Sequence, residues 1–194
     1  MNILFVTNKN VYPLIGGIER ITYAVAEALR NIYGMHCYSL YTQENVLGQT
    51  TEGVFEGKVC LSEKDQVEQI AAYIKGNAIN VLIAQGSDAR VNQLMPQLKE
   101  AANQCHGVKL LFVYHTMPSF ELKPIDADVL WHRLVKGKNK SAACKQALIQ
   151  ILTMMLPSVA KKMVAGKYQM PYNNSDKVVL LSDNYIQLYD QFVN

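Results

Sequence analysis

A chain of 194 residues with 49% hydrophobic and 18% charged residues can bury roughly 70% of the surface its unfolded form exposes, so one core suffices without disulfides or a structural metal. The cysteines Cys37, Cys60, Cys105 and Cys144 stand singly with no C-x-x-C pair, the usage of reduced thiols in a cytoplasmic protein. The amino terminus lacks a signal-peptide pattern, and the longest apolar stretch, Ala147 to Ala160, is interrupted by Gln150, Thr153 and Pro157, short of the ~20 residues that cross a bilayer.

Asn2 to Thr7 is a continuous apolar run, the pattern of a central strand buried on both faces of a parallel sheet. A polar loop follows through Pro13. Gly16-Gly17 then opens a helix with Ile18, Ile21, Val25, Ala28, Leu29 and Ile32 at helical spacing, closed by Gly34. His36 to Thr42 and Val54 to Leu61 read as strands. Ser62-Glu-Lys-Asp65 resembles a capping box ahead of a helix with Val67, Ile70, Ala71 and Ile74 as its buried stripe. Asn80 to Gln85 is a second buried strand, and Gly86-Ser87-Asp88 leads into a helix reaching Cys105, with Pro96 as a kink or a new start. Val108 to Tyr114 is the next strand and ends in His115. Helices are expected over Asp128 to Val135 and Ser141 to Met163, then a strand from Lys177 to Leu181 and a helix from Asn184 to Phe192. This alternation specifies a Rossmann-like, doubly wound α/β domain with a mainly parallel sheet, flanking helices and a basic helical insertion before the last strand.

That insertion holds the main charge feature. From Val129 to Ser175 there is no Asp or Glu, while Arg133, Lys136, Lys138, Lys140, Lys145, Lys161, Lys162 and Lys167 give +8; the rest of the chain carries −5, which leaves a net +3. Such an island is a solvated face or a surface for an anionic partner, whether a phosphate or lipid headgroups. It lacks the spacings of nucleic-acid-binding modules.

Ligands of open parallel sheets bind outside the carboxyl ends of the strands, near the point where strand order reverses. The Asn8 to Gly17 loop, the Gln85-Gly86-Ser87 turn, His115 and Ser182-Asp183 all fall at that edge. Gly16 and Gly17, just before a helix, allow close backbone approach to an anion such as a diphosphate; a tight turn alone would use the same residues. Neither G-x-G-x-x-G nor a P-loop is present. Glu19 suits the positive end of that helix. His115 can exchange hydrogen bonds with a sugar hydroxyl or meet developing charge, or simply tie down a strand end. The other histidines show no ligand spacing to it, and Asp126-Ala-Asp128, although it spells D-x-D, sits where a helix cap is expected, so no metal site is assigned.

Taken in order, Asn2-Ile-Leu-Phe-Val-Thr-Asn8, Pro13-Leu-Ile-Gly-Gly-Ile-Glu-Arg20, Phe112-Val-Tyr-His115 and Val178-Val-Leu-Leu-Ser-Asp-Asn-Tyr185 resemble the amino-terminal half of family 4 glycosyltransferases. The likeness spans the chain and is weakest from Phe120 to Ser175. It implies a GT-B architecture, in which residues 1–194 form the acceptor-side Rossmann-like domain and the donor-binding carboxy-terminal domain, with its Arg/Lys pair and E-x7-E segment, is absent. It further implies sugar transfer with retention from a nucleotide diphosphate sugar to a glycan, a lipid-linked acceptor or a small molecule, with no essential metal and no tightly bound cofactor. His115 would be the catalytic contact to the donor sugar, and Gly16, Gly17, Glu19 and Ser182 would serve donor or acceptor binding. The basic helices would rest on an anionic membrane, which makes the protein cytoplasmic and peripheral at the inner face. These residues alone are then expected not to transfer sugar. A noncatalytic α/β module that binds a phosphorylated ligand or partner is the alternative.

Overall fold

The computed structural model describes residues 1–13, 16–44, 53–86, 89–123, 125–137 and 140–193. The chain forms two compact units, residues 1–115 with 170–181 and residues 116–169 with 182–194.

The first unit is built on a parallel sheet. Its strands are β1 (Asn2–Lys9), β2 (His36–Gln43), β3 (Gly57–Cys60), β4 (Val81–Gly86), β5 (Lys109–Tyr114) and β6 (Lys177–Leu180), in the order β3-β2-β1-β4-β5-β6. Strand order reverses between β1 and β4, which pair directly, Ile3 with Val81 through Val6 with Ala84. Leu4, Phe5 and Val6 are fully buried, as are Leu82, Ala84, Leu110 and Phe112. Burial on both faces explains why these strands read as unbroken apolar runs. Each buried Val, Leu or Phe side chain contributes about 1.5–3 kcal/mol relative to exposure. The α/β class, the parallel sheet and the insertion between β5 and β6 agree with the sequence reading.

The helices α1 (Gly17–Tyr33), α2 (Gln66–Gly76) and α3 (Ala89–Asn103) belong to this unit. Helix α1 ends as expected: Gly34 takes a left-handed conformation at φ 62° and its N–H bonds to the Arg30 carbonyl. Its buried residues, however, are Thr22 and Ala26, while Ile21, Val25 and Ile32 of the apolar stripe are exposed. The small Ala26 lets the helix lie close to the cluster of Ile3, Phe5, Cys37 and Val54. Burial raises the Cys37 thiol pKa to about 11, so this residue acts as a small hydrophobe.

Helix α2 begins three residues later than a Ser62 cap requires. Asp65 is its N-cap, left-handed at φ 51° and without a side-chain cap bond. Gln66 and Gln69 instead send amide hydrogens back to the Ser62 and Lys64 carbonyls. Pro96 lies inside a single helix α3. Strand β3 is shorter than expected, although Val54 and Leu61 on either side of it are buried. Asp176 fastens β6 to β5: its N–H donates to the Leu110 carbonyl at 2.8 Å, and its carboxylate accepts from the Leu110 N–H at 2.8 Å and from Lys99 Nζ at 2.7 Å.

The helices of the second unit are α4 (Ala127–Lys136), α5 (Lys140–Met155), most of α6 (Pro157–Asn174) and α7 (Asn184–Val193), with a 3₁₀ turn at Phe120–Leu122. The single helix expected from Ser141 to Met163 is two helices, because Pro157 takes the first position of α6, where a missing N–H does no harm. Asp126 is the N-cap of α4, though without a side-chain cap bond. A small aromatic core holds this unit. Tyr168 is fully buried, stacks on Phe192 at 4.4 Å between ring centroids, and meets Tyr189 edge-on at 5.8 Å. The Tyr189 hydroxyl donates to the Tyr168 carbonyl, and the Tyr168 hydroxyl accepts the Ser119 N–H.

Candidate functional site

The carboxyl edge of the sheet brings together the ends of β1, β4 and β5. The β1 end is pinned to that of β2: Thr42 Oγ1 donates to the carbonyl and side-chain oxygens of Asn8, and the Asn10 N–H donates to the Gln43 carbonyl. The chain then enters α1 through two glycines that differ in kind. Gly16 has φ 72° and ψ 163°, a conformation that side chains avoid, and the Glu19 carboxylate folds back over the place a Cβ would occupy. Gly17 has an ordinary conformation, and a Cβ there would meet no atom of the described residues within 4 Å. The fold therefore demands glycine at 16 and makes no such demand at 17, which keeps open the approach to the first N–H groups of α1. Glu19 already shields the Gly16 side of this helix end.

At the other end of the site, His115 leaves β5 with its N–H bonded to the Gly86 carbonyl at 3.2 Å. Its ring Nε2 bonds to Gln85 Oε1 on the neighbouring strand. An amide oxygen only accepts, so Nε2 carries the proton and Nδ1 presents a bare lone pair. That nitrogen is buried and has no hydrogen-bond partner among the described residues. Burial holds the imidazole pKa below its ordinary 6.5, so the ring is neutral at pH 7. A neutral, oriented imidazole with an unused acceptor is equipped to take a hydroxyl proton of a bound ligand in a hydrogen bond.

Gln85 and Gly86 shape the surroundings of His115, and the sequence reading placed them at this edge without giving them a role. Gln85 is the one polar residue at the end of an apolar run, yet it is only 4% exposed, and its link to His115 spans 30 positions. Gly86 is required because the Phe112 ring lies where its Cβ would be. Ser87 and Asp88 lie outside the described residues.

Ser182 belongs to the second unit, where its carbonyl accepts the Tyr185 N–H at the start of α7. Of the basic island, Arg133, Lys136, Lys140, Lys145, Lys161, Lys162 and Lys167 lie on α4 to α6; Lys138 lies outside the described residues. Among the described residues no cluster of His, Cys, Asp and Glu could hold a metal ion, and no helix is long and apolar enough to cross a membrane. No protein-family model matches the chain, and no curated protein matches it in sequence.

Proposed function

We propose that this chain is the acceptor-side domain of a retaining glycosyltransferase that uses a nucleotide diphosphate sugar. The observation that carries the reading is His115, held neutral by burial and fixed by Gln85, with a buried Nδ1 that has no hydrogen-bond partner among the described residues. In the proposed enzyme this nitrogen accepts a hydroxyl of the donor sugar and orients the reacting ring. Gly17 leaves room for the diphosphate to reach the amide hydrogens and positive dipole end of α1. No protein metal ligand enters the scheme.

The partner proposed for the second unit is an anionic membrane surface. Its helices carry the acid-free cationic stretch and also expose Trp131, Ile151, Met154 and Met155. Cations attract anionic headgroups, and apolar side chains and tryptophan partition into the interface beneath them. The enzyme would then act at the cytoplasmic face.

Transfer rates of an enzyme carrying this segment with its donor-binding half test the reading. His115→Ala is expected to lower the rate about 10²-fold, and Gly17→Asp to lower it as strongly by placing a carboxylate against the diphosphate. Unchanged rates in both variants would remove the assignment.

A further inference from the structure

The two faces of the sheet are not equally covered. Right-handed crossovers place α1, which steps from β1 to β2, on one face, and the helices of the steps from β3 to β4 and from β4 to β5 on the other. The second face is sealed: Leu110, Phe112 and Tyr114 of β5 are wholly buried. On the α1 face the pairing sets Leu111 beside Ile83, and Val179 beside Val113. There Leu111 and Val113 are only half-buried, and Val179 is 41% exposed. Yet β5 reads Leu110-Leu-Phe-Val-Tyr114 and β6 reads Val178-Val-Leu180, the unbroken apolar pattern of strands covered on both faces.

Helix α1 supplies a second wall. Its Ala26 packs with Ile3 and Phe5 at the β1 side of this face. With Thr22 and Ala26 turned to the sheet, the winding of α1 carries Tyr23 toward β2 and turns Ile21, Val25 and Ile32 along the sheet surface toward β4 and β5. All three are exposed, Ile32 by 71%. The result is an apolar corner, floored by Leu111, Val113 and Val179 and walled by α1. From Ile21 to Ile32 it runs about 17 Å, the length of three helical turns. Lys109 and Lys177, both exposed, stand on the same face at the amino ends of β5 and β6.

We propose that this corner seats an α-helix of a partner protein, apolar on the two adjacent sides that meet α1 and the sheet, with its carboxyl end at Lys109 and Lys177. A helix fits the geometry, because helices pack about 8–10 Å apart and the faces of parallel sheets are covered by helices. The two ammonium groups complement the negative pole and unpaired carbonyls of a helix carboxyl end, which sets the direction of docking. Helix α1 of a second copy does not match: its Thr22 and Ala26 side is spent on its own sheet, and its outer side carries Arg20, Glu27 and Asn31. A bilayer surface is too broad to enter the corner between helix and sheet. The proposal does not rest on the transferase reading.

The test is an NMR titration of the methyl-labelled 194-residue chain with synthetic helical peptides of about 15 residues. Their apolar arc is built from Leu, from Ile with Ala, or from Phe with Met; the other positions are Gln and Ser, and the carboxyl end is free. At least one peptide should shift the methyl signals of Ile21, Ile32, Leu111, Val113 and Val179 and leave that of Ile151 in place. Replacing the arc by Gln should abolish the shifts. Amidating the carboxyl end should weaken binding about threefold, and Lys109→Gln with Lys177→Gln should erase that difference. Ile32→Asp, at a position exposed enough to spare folding, should weaken binding about tenfold. The proposal is overturned if no peptide shifts these signals or if the variants leave affinity unchanged. It is equally overturned if concentrating the chain alone shifts them, which would make a second copy the occupant, or if anionic vesicles do. Because transfer is not measured, failure here leaves the His115 assignment standing, and loss of that assignment leaves this proposal standing.

Discussion

In the sheet-bearing unit the large apolar side chains are sealed: Leu4, Phe5, Leu82, Leu110 and Phe112 are wholly inaccessible, whereas in the helical unit Trp131, Met154 and Met155 are 68%, 78% and 73% exposed. The two regions use hydrophobic residues for different ends. In the first they specify a sheet whose carboxyl edge is rigid enough to hold His115 against Gln85. In the second they share helices with a one-signed run of cations, a combination that adds little to a core and suits a surface made to be covered. The contrast predicts that substitutions of the sealed side chains in the first unit act on stability and those of the exposed apolar side chains in the second act on binding.

Gly86→Val should have the largest effect. Its side chain would collide with the Phe112 ring, and overpacking at so buried a strand end costs about 3 kcal/mol, which chemical denaturation would read. Asp176→Ala should cost about 2 kcal/mol, because the Leu110 N–H and Lys99 both lose a charged acceptor. The hydrogen bond from Lys99 and that from the Leu110 amide hold this carboxyl below its ordinary 3.8. The unfolded chain therefore takes up the proton first on acidification. The stabilisation is complete above about pH 3.8 and is lost as pH falls through the folded value. His115, lowered from 6.5 by burial, adds a loss that begins as pH drops below 6.5. The wild type should thus lose stability in two acid steps, with the upper one missing in His115→Ala.

The glycine pair sharpens the comparison within one loop. Gly16→Ala should destabilise by about 1–2 kcal/mol, since alanine is strained at φ 72°. Gly17→Ala should change stability by less than about 0.5 kcal/mol, because its backbone is helical and its surroundings are open. The smallest stability change, within about 0.5 kcal/mol, is expected for Trp131→Ala combined with Met154→Ser. That pair should nevertheless reduce sedimentation with anionic vesicles several-fold; unaltered binding would mean that the exposed apolar residues do not meet the lipid.

Several features of the fold were legible because they depend on local pattern. Continuous apolar runs marked β1, β4 and β5, since strands buried on both faces have no polar side to alternate with. Gly34 marked the end of α1 because a left-handed cap favours glycine. Other features depend on tertiary contacts. The stripe of Ile21, Val25 and Ile32 is periodic yet exposed, because the sheet packs on Thr22 and Ala26 instead. Asp65 turns left-handed and delays α2, so Ser62 does not cap it. Pro157 was visible, but its role as a helix start depended on α5 ending at Met155. At the site, His115 and the glycines were readable as polar or flexible residues at strand ends. The tautomer of His115 was not, because it is set by an amide from another strand.

The state of the His115 ring tests the account most directly. A long-range ¹⁵N–¹H correlation spectrum at pH 7 should show a neutral imidazole protonated at Nε2, with Nδ1 bare and a pKa below 6.5. A proton on Nδ1, or a charged ring at that pH, would contradict the proposal that this edge of the sheet offers a bound sugar an oriented acceptor.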